Sequence, residues 1–321
     1  MMPLNAIVLA LAAGLISAVV FASATTGPVL LRIVLFFLTP LSLYLAGLGL
    51  GPRGAAVAAI AAILIILLLA NPSTAVVYSL STAVPAVVLT RSALLSRGEG
   101  GDTQWYPVGR LVMTAALFGG VFTVLALLML GSDADALAKT MRSLVEAFVK
   151  TELPNIPGAQ PVTEAQIDDI AAATLKTLPW ALGMLTMATM LLNLWLAGRI
   201  TLASGRLTRP WPNLSAAALP AGAIWALLAA VALTFAGGAP GLLAGGFAGA
   251  LTAAFAIIGL SVAHVVTEGS PWRSFTLAFV YCALLFVTAG AALVLACVGV
   301  ADTIFAYRAR GPTPPPKDND N

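Results

Sequence analysis

Few side chains in this sequence have the chemistry to act inside an apolar environment. Asn193 lies in the run Leu191-Leu192-Asn193-Leu194-Trp195-Leu196, where its amide must bond across helices or face a cavity. The first arrangement holds a bundle together; the second offers a hydrogen bond to a substrate. His264, the single histidine, is followed one helical turn later by Glu268. An i, i+4 pair of this kind can share a hydrogen bond, titrate near neutral pH or relay a proton. Pro40 and Pro85 each remove a backbone donor from an apolar stretch. Such breaks can turn carbonyls towards a ligand cavity, as discontinuous helices do in transport sites. Asn193, His264, Glu268, Pro40 and Pro85 are therefore the candidate substrate-binding positions. Arg32 could attract an anion, although snorkelling to the headgroups explains it at lower cost, and Asp302 has Arg308 and Arg310 within reach in sequence.

Other chemistries find no foothold. The sequence has no paired carboxylates in its apolar runs, no nucleophile elbow, no phosphate-cradling glycine loop ending in lysine and no His–Glu–His zinc pattern. Catalysis, a metal site and a cofactor are not expected. Cys282 and Cys297, the only cysteines, are 15 residues apart in one apolar stretch, which on a single helix is about 22 Å. They cannot bridge there.

The elements that must position these residues follow from composition. Of 321 residues, 60% are hydrophobic and 9% charged, against roughly 25% charged in soluble domains. No charged shell can be built from that, so the bilayer is the solvent. The net charge of +3 does not point to nucleic acid, because the bases are scattered between apolar runs. Nine stretches approach the ~20 residues that cross ~30 Å of hydrocarbon: about 5–24, 29–50, 54–70, 74–90, 109–130, 178–198, 215–236, 241–266 and 275–304. The first ends in Ala22-Ser23-Ala24 like a signal peptide, but its leader carries no Lys or Arg, so it reads as a span.

Arg91, Arg97 and Arg110 flank one loop and Arg199, Arg206 and Arg209 another, which places both on the cytoplasmic side, with the N-terminus also inside. Residues 132–176 then lie outside, with seven acids against four bases. Leu137, Met141, Leu144, Val145 and Phe148 recur there at helical spacing, giving an amphipathic helix. Thr163-Glu164-Ala165-Gln166 reads as a capping box that opens a second. Nine crossings would leave Tyr307-Arg308-Ala309-Arg310 outside although it looks like a cytoplasmic stop. Either the last stretch re-enters without crossing or another short candidate does not span, so the count is eight or nine. Residues 311–321 read as a disordered proline-rich tail.

Small residues recur every four positions at Ala6, Ala10, Gly14, Ala18 and Ala22, and again at Gly241, Gly245, Gly249 and Ala253. Each ridge lets another helix approach closely, from this chain or from a partner protein.

Several runs together resemble the YybS-like family of bacterial membrane proteins, a domain of unknown function. They are Leu35-Phe36-Phe37-Leu38-Thr39-Pro40-Leu41 leading to Gly49-Leu50-Gly51-Pro52-Arg53-Gly54, the basic loop after the fourth span, the long outer loop, Asn193 shortly before Arg199, and Gly299-Val300-Ala301-Asp302-Thr303-Ile304-Phe305-Ala306-Tyr307-Arg308. The first-span ridge is similar to that of the substrate-binding subunits of energy-coupling-factor transporters, which implies a coupling protein as partner. The expected fold is all-α, a polytopic helix bundle of eight or nine spans with an amphipathic extracytoplasmic loop. The expected function is a transporter-like, small-solute-binding membrane component; the alternative is a scaffold that binds proteins through its ridges and outer loop.

Overall fold

The computed structural model describes residues 2–24, 28–98, 103–155, 158, 160–213, 217–286 and 288–310. The proline-rich tail, 311–321, lies outside the described residues, as do Thr25-Thr26-Gly27 between the first two helices. The fold is helical apart from one pair of two-residue strands, β1 (Ser96–Arg97) and β2 (Gln104–Trp105). Among the described residues, seven helices are long and apolar enough to cross a membrane.

The first half of the chain is punctuated by proline and glycine. Helix α1 (Leu4–Ser23) is followed by α2 (Val29–Leu38) and α3 (Leu41–Leu50), one apolar stretch interrupted at Thr39-Pro40. Gly51 then turns the chain at φ +82°, a conformation that L side chains resist, and Pro52 opens α4 (Pro52–Leu69). The next stretch is also interrupted. Helix α5 (Pro72–Tyr78), capped by the Asn71 side chain, passes through a π-helical segment, Ser79–Ala83, into α6 (Val84–Ala93). That widened turn immediately precedes Pro85, whose missing N–H and bulky ring a regular helix accommodates poorly. The strand pair closes the loop before α7 (Val108–Leu130).

The segment 132–176 forms its helices at the expected places, but they join the bundle differently. Asp133 caps the amphipathic α8 (Ala134–Thr151) by accepting the Ala136 N–H. The Thr163/Gln166 capping box is present. The helix that it starts, however, does not end before the sixth span: both are one 40-residue helix, α9 (Glu164–Ala203), with Pro179 inside it. At 1.5 Å per residue it is about 60 Å long, well beyond ~30 Å of hydrocarbon. Helix α8 packs along the overhang, burying Leu137 and Met141 where α9 buries Ile167 and Ala171.

Two of the expected stretches are not single helices. Among the described residues of the stretch 215–236 only α10 (Ala223–Thr234) is helical; residues 217–222 are not, and Ala217 and Leu219 there are buried. Irregular backbone at this depth is tolerated where protein surrounds it. After α11 (Gly238–Val266), the stretch 275–304 is two helices, α12 (Arg273–Phe286) and α13 (Thr288–Phe305), neither reaching 20 residues. Tyr281 of α12 touches His264, and Arg308, just past α13, bonds Ser261. Both partners lie in the last two turns of α11, so the stretch leaves and returns to one end of that helix.

Helix α11 is the hub, packed against α7, α9, α10 and α13, while α1, α3 and α4 form a second cluster. Large apolar side chains such as Leu68, Trp225, Phe235 and Phe286 remain exposed at the periphery, a surface that suits lipid and not water. The two ends of the bundle differ in charge. Arg209 bonds the carbonyls of Ala93 and Tyr106, and Arg199 stacks over Trp211, so the loops after α6 and α9 meet at one end. Helices α8 and the overhang of α9 stand at the other.

Candidate functional site

Asn193 and Pro40, remote in sequence, come together. Asn193 is fully buried, and its Nδ2 donates to the Phe37 carbonyl at 2.7 Å and to the Thr189 carbonyl, one turn back in its own helix, at 2.8 Å. The Phe37 carbonyl lies just before the break at Thr39-Pro40, where the regular ladder is interrupted, and an amide from α9 fills the vacancy. The neighbouring carbonyl, of Thr39, accepts from Ser17 Oγ at 2.7 Å, and Ser17 Oγ is 2.6 Å from Tyr78 Oη. Three helices thus service one proline kink. With both amide hydrogens committed to backbone, the atom of Asn193 without a protein partner is Oδ1.

The two proline distortions also share a small cavity of about 40 Å³, which Thr39, Pro40, Ser81, Thr82 and Thr189 help to line. That is room for one water, not for a solute. Pro85 itself is packed in the core.

A space large enough for a ligand lies elsewhere. A groove of about 870 Å³ opens between α8, the overhang of α9 and the α10–α11 turn, within the ~300–1,000 Å³ typical of ligand clefts. Its floor is made of small residues, Gly241 and Gly245 of α11 and Ala171 and Ala172 of α9, with Trp180 beside them. Its rim is basic: Lys139 and Arg142 from α8 and Lys176 from α9, against the single acid Asp168. Arg142 is committed, bonding Asp168 at 2.5 Å and Glu164 at 2.8 Å with Glu146 at 3.5 Å. Those carboxylates hold its guanidinium above its ordinary range, Asp168 foremost. Lys150 pairs with Glu146 and depresses that carboxyl. Among the described residues, neither Lys139 nor Lys176 has a carboxylate within ion-pair distance.

The ridges are occupied from within. A Cβ on Gly14 would meet the Ala58 carbonyl at 2.4 Å, so α4 fills the α1 ridge, where Ala10 and Ala18 are buried. Ala6 is half-buried. Gly249 abuts the Trp180 carbonyl and Gly245 the Pro179 ring, so α9 covers the lower part of the second ridge. Gly241 faces the Thr234 carbonyl.

The remaining candidates sit at the arginine-rich end. The expected His264–Glu268 bond is not formed: α11 ends at Val266, and His264 instead has Nδ1 3.0 Å from the Leu260 carbonyl and Nε2 3.3 Å from Tyr281 Oη. Asp302 and Arg308 pair at 2.7 Å, both largely buried, and the same guanidinium reaches Ser261 Oγ and the Ala217 carbonyl. The pair pins α13 to α11 and to the non-helical segment before α10. Arg32 is 3.9 Å from Glu152 beyond α8.

The lysines and Trp180 of the groove do not stand out in sequence, because their convergence depends on the length of α9 and on α8 folding back along it. Ser17, the only hydroxyl in α1 before its last residue, is the signal that could have located the kink's third partner.

Over residues 15–303 the chain matches a family described as predicted membrane protein (DUF2232). No curated protein and no solved structure matches it.

Proposed function

We propose that this chain, which belongs to that family of membrane proteins, is a transporter-like component that binds a small solute in the groove between α8, α9 and the α10–α11 turn. The observation that carries this reading is a ligand-sized cleft whose rim holds two lysines that, among the described residues, have no carboxylate within ion-pair distance. The kink at Pro40 does not serve as the binding site in this account, since Asn193 spends its donors on backbone. The alternative, a scaffold docking proteins on its Gly/Ala ridges, draws no support from ridges already filled by α4 and α9.

The topology that accompanies this reading has eight crossings in a bacterial inner membrane. Seven are the long apolar helices, and the eighth is the segment 217–222 continued by α10. Helices α12 and α13 form a re-entrant hairpin. The arginine-rich end faces the cytoplasm by the positive-inside rule, and the groove opens on the far side. The likeness to the YybS-like proteins and to energy-coupling-factor subunits belongs to the same proposal.

Native mass spectrometry of the chain released from a mild nonionic detergent tests the reading. A retained small molecule, lost on Ala172→Trp, is expected, because Ala172 is exposed on the groove floor and an indole there fills it. Release of bare protein, or equal retention by the variant, counts against it.

A further inference from the structure

We propose that the ligand of this groove is an anionic phospholipid of the surrounding leaflet, its phosphate held between Lys139 and Lys176 and the upper part of an acyl chain laid on the Gly/Ala floor. This rests on the groove being the binding site.

The groove changes character along its depth. Its floor belongs to the first turns of α11, an apolar helix of membrane-crossing length, and to α9 near Trp180. Its rim belongs to the amphipathic α8 and to the charged N-terminal part of α9. A cleft that passes from glycine and alanine to lysine across the edge of the hydrocarbon fits a molecule that is apolar below and charged at the boundary. Trp180 stands at the level where indoles favour the interface.

Charge selects the sign of the headgroup. Arg142 is satisfied by Asp168 at 2.5 Å and Lys139 feels the more distant Asp133, but among the described residues neither Lys139 nor Lys176 has a carboxylate within ion-pair distance, which leaves both ammonium groups open to a headgroup. A zwitterionic headgroup brings its own cation to that rim, whereas an anionic one does not. Small side chains select the other half of the ligand. The exposed Ala172 carries only a methyl group, so a methylene chain can lie beside it and Leu175 and gain dispersion contacts, while Gly241 and Gly245 are already covered by the Thr234 carbonyl and the Pro179 ring.

The test uses the full chain in a neutral maltoside detergent, with thermal unfolding followed in added dioleoyl phosphatidylglycerol, dioleoyl phosphatidylcholine, or sodium phosphate. Phosphatidylglycerol is expected to raise the melting temperature by several degrees, with phosphatidylcholine and inorganic phosphate giving at most a third of that shift. Lys139→Gln with Lys176→Gln should keep the melting temperature in phosphatidylcholine and lose most of the phosphatidylglycerol increment. Should the double variant fail to fold, Ala172→Trp provides the same comparison. Equal shifts from both lipids, or a full phosphatidylglycerol shift in a folded variant, overturn the lipid assignment. A non-lipid solute retained in the mass spectrum and expelled by Ala172→Trp would overturn the lipid class while leaving the binding site in place.

Discussion

At the scale of single residues, Asn193 shows how a polar side chain in an apolar bundle can be structural without being inert. Its two donors go to carbonyls, one of them at the interrupted turn before Pro40. Asn193→Leu should lower stability by about 0.6 kcal/mol, the mean for an interhelical hydrogen bond in a membrane, and by no more than about 1.7 kcal/mol, the largest such value. Asn193→Asp should cost more, because an ionised carboxylate would point at two carbonyl oxygens and must take up a proton to donate to even one. Thermal unfolding in detergent separates the two; an aspartate variant as stable as the leucine variant would contradict the assignment. The carboxylates of α8 make a pH prediction. Asp133 is held below the usual carboxylate range by the Ala136 N–H and then by Ser132, and Glu146 by Lys150. A depressed folded value means that their contribution is complete above the ordinary range, near ~4, and is lost as pH falls through the lower folded values. A nitroxide on Ser143→Cys should therefore report α8 loosening only below about pH 4, and unchanged mobility down to pH 2 would show that the cap and the ion pairs do not hold the helix.

At the scale of elements, close helix approach is set by glycine. A Cβ on Gly183 would sit 2.0 Å from the Gly246 carbonyl, and one on Gly249 would sit 1.9 Å from the Trp180 carbonyl. Gly249→Ala should therefore destabilise by about 1–3 kcal/mol, against the ~1 kcal/mol that alanine gains over glycine within a helix. Gly49 is the control, because its added methyl would meet Thr201 Cγ2 at an ordinary 3.6 Å. Gly49→Ala should be neutral or stabilising, and equal melting temperatures for the two variants would contradict the packing. Much of this level was legible in sequence. The four-residue spacing of small residues marked the ridges, Thr163 and Gln166 marked a helix start, and Asp302 found Arg308. The failures share a cause: hydropathy reports that a stretch is apolar but not whether its backbone stays helical or crosses. Residues 217–222 are apolar yet not helical, with Ala217 and Leu219 buried, and the apolar helices α12 and α13 both reach back to one end of α11. At α9 the case is reversed: a charged segment and an apolar one share a single helix that continues through Pro179.

At the scale of the whole molecule, the tertiary contacts that gather the loops after α6 and α9 also place the end of α13 with them, through Arg308 and Ala217. A chain with eight crossings and a re-entrant hairpin therefore has the start of α1 and the end of α13 on one side. In a background with Cys282→Ser and Cys297→Ser, single cysteines at Asn5 and at Thr313 should both resist an impermeant maleimide added outside intact cells and react after permeabilisation. Labelling of one but not the other would require an odd number of crossings. The groove lies at the opposite end, and the account depends on its holding an anionic amphiphile beside Trp180. The most direct measurement is the fluorescence of Trp180 alone, with the other five tryptophans replaced by phenylalanine, in micelles carrying acyl-brominated lipid. Brominated phosphatidylglycerol should quench it at several-fold lower concentration than brominated phosphatidylcholine, and Lys139→Gln with Lys176→Gln should erase the difference. Equal quenching by the two lipids in the chain with both lysines intact would contradict the account.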